Sequence, residues 1–204
     1  NPALAALCEA LVARKHPDTD RIAAAVKSYD AAWREEFGKE HDHHRLVGQD
    51  NFRRYLPLPS VRVRVHPDDT PFDIFGRACA AHAVGSRVTI SLPAGSQMPA
   101  AALLDELTES WAGDIEFVEE TDEQLVKAIR ARQADRVRYA ARGRAPLAVL
   151  QAGAEAGECV VSVPVSSEGR LELLWYVQEQ SISIDYHRYG NLGQRAAEER
   201  AGVL

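Results

Sequence analysis

The sequence is short of cysteine, methionine, lysine and net positive charge. Its 204 residues include three cysteines, Cys8, Cys79 and Cys159, and one methionine. An odd number of widely spaced thiols excludes a disulfide framework and leads us to expect a reducing, cytoplasmic setting. The formal net charge is −6 and the pI about 5.7, which argues against a basic nucleic-acid footprint. No apolar run approaches the ~18 residues of a membrane span. No G-x-G-x-x-G is present, so the usual dinucleotide fingerprint is missing. The opening Asn1-Pro2-Ala3 carries no initiator Met, basic n-region or cleavage pattern, so we expect a piece of a longer polypeptide.

What is present belongs to a globular α/β protein. Apolar residues make up 46% and charged residues 26%, ordinary values for such a domain. Surface scaling puts the folded area at about 9,500 Å², roughly 70% of the unfolded area being buried, so a real core is expected. Leu4, Leu7 and Leu11 keep a helical period, and so do Ile22, Val26, Tyr29, Trp33 and Phe37. Asp18 or Thr19 is expected to cap that second helix and Gly38 to stop it. Residues 39–50 read as a polar loop.

From Val61 the rhythm alternates. Strands are expected at 61–65, 87–92, 114–118, 136–139 and 159–163, with helices at 71–83, 99–111, 121–130 and 146–156. Thr121 and Gln124 have capping-box spacing. Alternating strands and helices with right-handed crossovers give a Rossmann-like, doubly wound, mostly parallel sheet. Two β-prone runs follow, Leu171–Val177 and Ser181–Tyr186. They form a C-terminal ribbon, paired either on this sheet or with an edge strand elsewhere. The expected organisation is a helical lead-in and linker at 1–50, the Rossmann-like domain at 51–165, and the ribbon with a terminal motif at 166–204.

Single residues favour structural roles. Cys159 precedes a Val-rich strand and reads as a buried, inert thiol, while Cys8 and Cys79 read as core filler. His41-Asp42-His43-His44 is a loop cluster without the spacing of a rigid zinc site. Glu119, Glu120, Asp122 and Glu123 suit a helix N-terminus. Arg62 and Arg64, with the run Arg130, Arg132, Arg136, Arg138, Arg142 and Arg144, suit salt bridges or a solvated face rather than phosphate binding. The residues Tyr186, His187, Arg188 and Tyr189 suit an interface better than a free tail.

Three stretches carry a resemblance. Gly48-Gln49-Asp50-Asn51-Phe52-Arg53-Arg54-Tyr55-Leu56-Pro57, followed by a Val-rich strand and His66-Pro67-Asp68-Asp69-Thr70-Pro71-Phe72, resembles the entry to the dinucleotide-binding domain of aldehyde dehydrogenases, closest to the glutamate-semialdehyde branch. Val88-Thr89-Ile90-Ser91-Leu92-Pro93-Ala94-Gly95 falls where that family has a Lys-Pro-Ala-Glu turn. The ending Glu179-Gln180-Ser181-Ile182-Ser183-Ile184-Asp185-Tyr186-His187-Arg188-Tyr189-Gly190-Asn191 resembles the terminal motif of bifunctional proline utilization A enzymes. The chain is similar to the last, aldehyde-dehydrogenase-like domain of those enzymes.

The resemblance implies lost chemistry as well as a fold. Where active relatives keep an Asn whose amide meets the oxyanion, the matching positions hold Asp68 and Asp69, and a carboxylate would repel that charge. Where they bind the adenosine ribose through Lys and Glu, this chain has Leu92 and Gly95. Only about 60 residues follow Tyr139, short of a further domain with a thiolate and base. The resemblance therefore implies no catalytic residue, metal or cofactor in this fragment, with FAD and NAD in its parent. It implies a non-catalytic role in proline catabolism, packing on the dehydrogenase domain of the same polypeptide and covering its intermediate cavity. The interface residues would be Ser181, Ile182, Ile184, Tyr186, His187, Arg188, Tyr189 and Asn191. The alternatives are a fragment with residual NAD affinity and a module that self-associates through its ribbon.

Overall fold

The computed structural model describes residues 1–187 and 189–200. Two helices lead in. α1 (Pro2–Ala13) is capped by the Asn1 side chain and buries Leu4, Leu7 and Leu11. α2 (Thr19–Ala32) buries Ile22, Val26 and Tyr29 and runs into a π-turn, Trp33–Phe37, that ends at Gly38. Asp18 sits at the N-cap without a side-chain cap bond; the Thr19 hydroxyl instead donates to the His16 carbonyl at 2.6 Å.

The sheet follows the expected rhythm. β2 (Ser60–Arg64), β3 (Arg87–Pro93), β4 (Ile115–Glu120), β5 (Arg136–Tyr139) and β6 (Cys159–Ser162) form five parallel strands in the order β4-β3-β2-β5-β6. The connecting helices are α3 (Pro71–Val84), α4 (Pro99–Leu107), α5 (Asp122–Arg130) and α6 (Leu147–Ala156). Capping boxes close α3 at Thr70 and Asp73 and α5 at Thr121 and Gln124. The chain winds outward through β3 and β4, then returns to β5, so the strand order reverses between β2 and β5. In an open α/β sheet the crevice at that reversal, beyond the carboxyl ends of the strands, is where ligands bind.

Each face of the sheet has its own core. Val61, Val63, Val88 and Ile90 join the main core with α1, α2, α3 and α4. Val137 and Tyr139 join a smaller core with Leu125 and Ile129 of α5 and Val149 and Ala152 of α6. Arg62 and Arg64 share that second face by register. Both are buried, Arg62 against Glu120 and Arg64 against Ser91 and Asp122, so neither forms a solvated face. Cys79 is buried and Cys8 half-buried, but Cys159 is exposed, which corrects the expectation of a buried thiol; it is the first residue of β6, an edge strand.

The C-terminal ribbon departs most from expectation. Leu171–Val177 is not a strand. α7 (Gly169–Glu172) and a 3₁₀ turn, Leu173–Trp175, occupy it, because Glu172 is drawn inward to Arg138, the Tyr176 hydroxyl and the Ser166 amide. A tertiary ion pair outweighs local β preference here. The other run is one strand, β7 (Val177–Asp185), and its partner is β1 (Gln49–Pro57), whose first two residues fall in the loop expected at 39–50. They pair antiparallel from Gln49↔Asp185 to Pro57↔Val177 as a separate two-stranded ribbon. The ribbon thus joins two distant parts of the chain.

α7 lies tight on α2. A Cβ at Gly169 would stand 2.3 Å from the Ser28 carbonyl oxygen, and the Gly169 N–H donates to the Ser28 hydroxyl at 2.8 Å. Gly169→Ala should push the helices apart and lower stability by about 1–3 kcal/mol. Urea unfolding checks this, and an unchanged midpoint would contradict the packing.

Candidate functional site

Strand carbonyls converge at the switch point between β2 and β5, and a guanidinium meets them. Arg77, on the inner face of α3, is fully buried. It donates to the carbonyls of Arg64 at 2.7 Å, Arg138 at 3.0 Å and Asp73 at 2.7 Å. Its remaining arm meets the Asp69 carboxylate, also without exposure. Arg144, from the loop after β5, grips the other Asp69 oxygen and donates to the Asp68 carbonyl at 3.1 Å. The His66 amide completes the shell of Asp69 at 3.1 Å. Burial pulls the Arg77 guanidinium downward, and the Asp69 carboxylate opposes this.

A second buried guanidinium extends the pattern. Arg138, on β5, is fully buried and bidentate to Glu172 at 2.9 and 3.2 Å. It also donates to the carbonyls of Tyr139 and, at 2.6 Å, Val163. Together Arg77 and Arg138 satisfy the carboxyl ends of β2 and β5 and the chain just beyond β6. That is the place where this fold normally offers its carbonyl edge and first helix to a ligand.

The sequence candidates separate into two places. Asp69 lies in this knot, while exposed Asp68 contributes its carbonyl and a contact to His66 at 3.5 Å. Leu92 packs against the main core and Gly95 turns away with φ 71°, so neither presents a polar side chain. The Arg77 guanidinium thus lies at the carboxyl ends of β2 and β5, where this fold places a dinucleotide, and Leu92 and Gly95 offer no polar side chain beside it. Cys159 opens β6 at the amino end of the sheet, the edge opposite the crevice. Among the described residues no three His, Cys, Asp or Glu side chains converge as a metal set. His41 instead pairs its backbone with Arg53, and its ring stacks on His43. Sequence reasoning missed Arg77; a lone Arg in the Ala-rich face of a helix is the signal that marks it.

The ribbon holds the other candidates. The Arg53 N–H and carbonyl both turn to His41, on the side away from β7. Hydrogen-bonded pairs with β7 are therefore Phe52↔Ile182 and Arg54↔Gln180. The backbone groups of Glu179, Ser181 and Ser183 face the other way, along an open edge. Phe52, Leu56, Ile182 and Ile184 share one ribbon face, with Leu56 40% and Ile184 48% exposed. Tyr186 and His187 turn inward to Gly48: Tyr186 exchanges two bonds with it, at 2.8 and 3.0 Å, and His187 Nδ1 is 3.0 Å from its carbonyl oxygen. Tyr189 and Asn191 are exposed, and Arg188 lies outside the described residues.

No known family's model matches the sequence, and no curated protein matches it. Solved structures do. The architecture is that of aldehyde dehydrogenases: the chain is similar to betaine aldehyde dehydrogenase from Staphylococcus aureus, with a TM-score of 0.59 and 13% identity over 78% of this chain and 36% of that one. A putative aldehyde dehydrogenase PutA from Anabaena variabilis gives a TM-score of 0.55 and 15% identity over 78% of this chain and 38% of that one. Among such proteins the chain resembles Proline Utilization A from Corynebacterium freiburgense, with a TM-score of 0.53 and 25% identity over 84% of this chain. It spans 14% of that protein's length, so the likeness is to one part of that polypeptide, with an aldehyde-dehydrogenase-like fold.

The knot makes a direct prediction. Asp69→Asn leaves Arg77 buried beside a neutral amide and should cost about 3–5 kcal/mol. Adding Arg77→Met removes the uncompensated charge but leaves the carbonyls of Arg64, Arg138 and Asp73 without donors, so the double variant should lose less than the sum of the single variants. Chemical denaturation of the single and double variants checks this; additive losses would contradict the coupling.

Proposed function

We propose that this chain is a non-catalytic docking domain at the end of a bifunctional proline-catabolic enzyme. In that reading it packs on the dehydrogenase domain of the same polypeptide and covers the cavity that holds 1-pyrroline-5-carboxylate and its open form, glutamate semialdehyde. The observation that carries the reading is the open edge of β7 beside a partly exposed ribbon face on which Phe52, Leu56, Ile182 and Ile184 stand among Asp50, Arg54, Gln178 and Gln180. Exposed strand edges recruit another strand, and natural proteins cover or blunt them. This one is uncharged at Ser181 and Ser183, between Glu179 and Asp185, with Ile182 and Ile184 alongside.

Three further features support it. The crevice is taken up by Arg77, Asp69 and Arg144. The accessible surface, 11257 Å², exceeds by about 1,800 Å² the value expected of a compact monomer of this mass. A standard interface takes about 800 Å² from each partner, so the excess leaves room for such a patch. The resemblance to Proline Utilization A gives the partner its chemistry: FAD and NAD would belong to the parent's own active sites, in the cytoplasm, and this chain would exclude water and retain a reactive intermediate.

The same edge would also admit a second copy of the chain, and the test separates the two. In a full-length polypeptide of this type, Ser181→Pro removes an outward N–H and leaves every β1–β7 bond in place. Proline-dependent flavin reduction should be unchanged. Coupled NADH formation from proline should fall about fivefold, the effect of about 1 kcal/mol of lost pairing. Unchanged coupled turnover would overturn the reading. A smaller size on gel filtration with unchanged coupling would assign the edge to self-association.

A further inference from the structure

The segment after the ribbon returns to it and is fastened there. Asp50, the second residue of β1, is buried. Arg195 grips it with two bonds, at 2.8 and 3.0 Å, and Arg200 adds a third contact. Glu198 bridges the two arginines at 2.6 and 3.0 Å. Arg200 also reaches the Gln49 carbonyl at 3.4 Å and Asp42 at 3.6 Å, and Arg45 holds the Glu199 carbonyl at 3.1 Å. The Arg195 guanidinium lies 3.8 Å above the Tyr186 ring and Arg200 at 5.2 Å. Tyr186 is thus held between these cations and Gly48. Gly48 itself tolerates no side chain, with φ at +90° and His187 Nδ1 2.8 Å from where a Cβ would sit.

Between these anchors stands a residue that a free chain would rarely leave so. Tyr189 is fully exposed at φ 51°, next to Gly190 at φ 79°. The left-handed region is sparsely used by bulky residues and persists where the surroundings impose it. We propose that residues 193–200 form an ionic strap, buckled on Asp50, that holds the turn carrying Tyr189 in a preformed shape, so that its exposed aromatic ring is presented ready-ordered to the docked domain. Ordering this turn beforehand removes an entropy cost from docking. Its purpose rests on the docking reading; its existence does not.

The test reads the strap itself. Hydrogen exchange and trypsin cleavage after Arg195 are followed on the full chain and on Asp50→Asn. Loss of the buckle should speed exchange at the Gly48 and Tyr186 amides and cleavage after Arg195 by at least about tenfold, as for about 1.4 kcal/mol. The β2 and β3 amides should keep their protection. If Asp50→Asn also loosens β1 and β7, Arg195→Gln with Arg200→Gln, which alters no strand, decides by hydrogen exchange alone, since it removes the trypsin site: the same acceleration at the Gly48 and Tyr186 amides supports the strap, and wild-type exchange rates overturn it. Wild-type amides at Gly48 and Tyr186 exchanging like an unstructured peptide would overturn it as well. A strap that stands while Ser181→Pro leaves coupled turnover unchanged would instead remove the docking reading and leave the strap.

Discussion

The Arg77 guanidinium, fully buried where β2 and β5 diverge, is the contact on which the rest of the structure depends. Parallel strands end in carbonyls that need donors, and a doubly wound fold opens a crevice there. In this chain the donor is covalently part of α3. It satisfies two strands at once, and its charge requires Asp69 beside it. Asp69 in turn draws in Arg144. One buried cation therefore fixes α3, the turn before it and the loop after β5.

The same logic builds the support for the ribbon. Arg138 needs Glu172, and Glu172 needs the Tyr176 hydroxyl and the Ser166 amide. The Tyr29 hydroxyl donates to the Ser166 carbonyl at 2.5 Å, which brings α2 into the network. Tyr176 lies one residue before β7, and its carbonyl accepts from the Leu58 N–H, one residue after β1. Both strands of the ribbon thus leave from a rigid, buried base. This base fixes the register of the ribbon.

Most of the sheet was legible because its signals are local. Val61, Val63 and Val65 alternate, Thr121 and Gln124 have capping spacing, and Leu4, Leu7 and Leu11 keep the helical period. β1 was not legible, since Arg53, Arg54 and Tyr55 in succession break alternation and its partner lies more than a hundred residues away. Leu171–Val177 misled because its β-prone residues are overruled by the buried Glu172. Asp69 was read as a carboxylate spoiling an oxyanion site. Its structural role rests on Arg77 and Arg144, whose proximity no spacing reveals. The terminal motif was read as one contact surface, and the structure divides it: Tyr186 and His187 face Gly48, while Tyr189 faces outward.

The account stands on the crevice being taken up by the protein itself, and calorimetric titration of the chain with NAD⁺ tests that directly. The account predicts no saturable heat with millimolar NAD⁺ and no change in unfolding free energy. Saturable binding in the micromolar range would contradict it, and with NAD⁺ at a hundredfold excess over its dissociation constant would bring a stabilisation of about 2.7 kcal/mol.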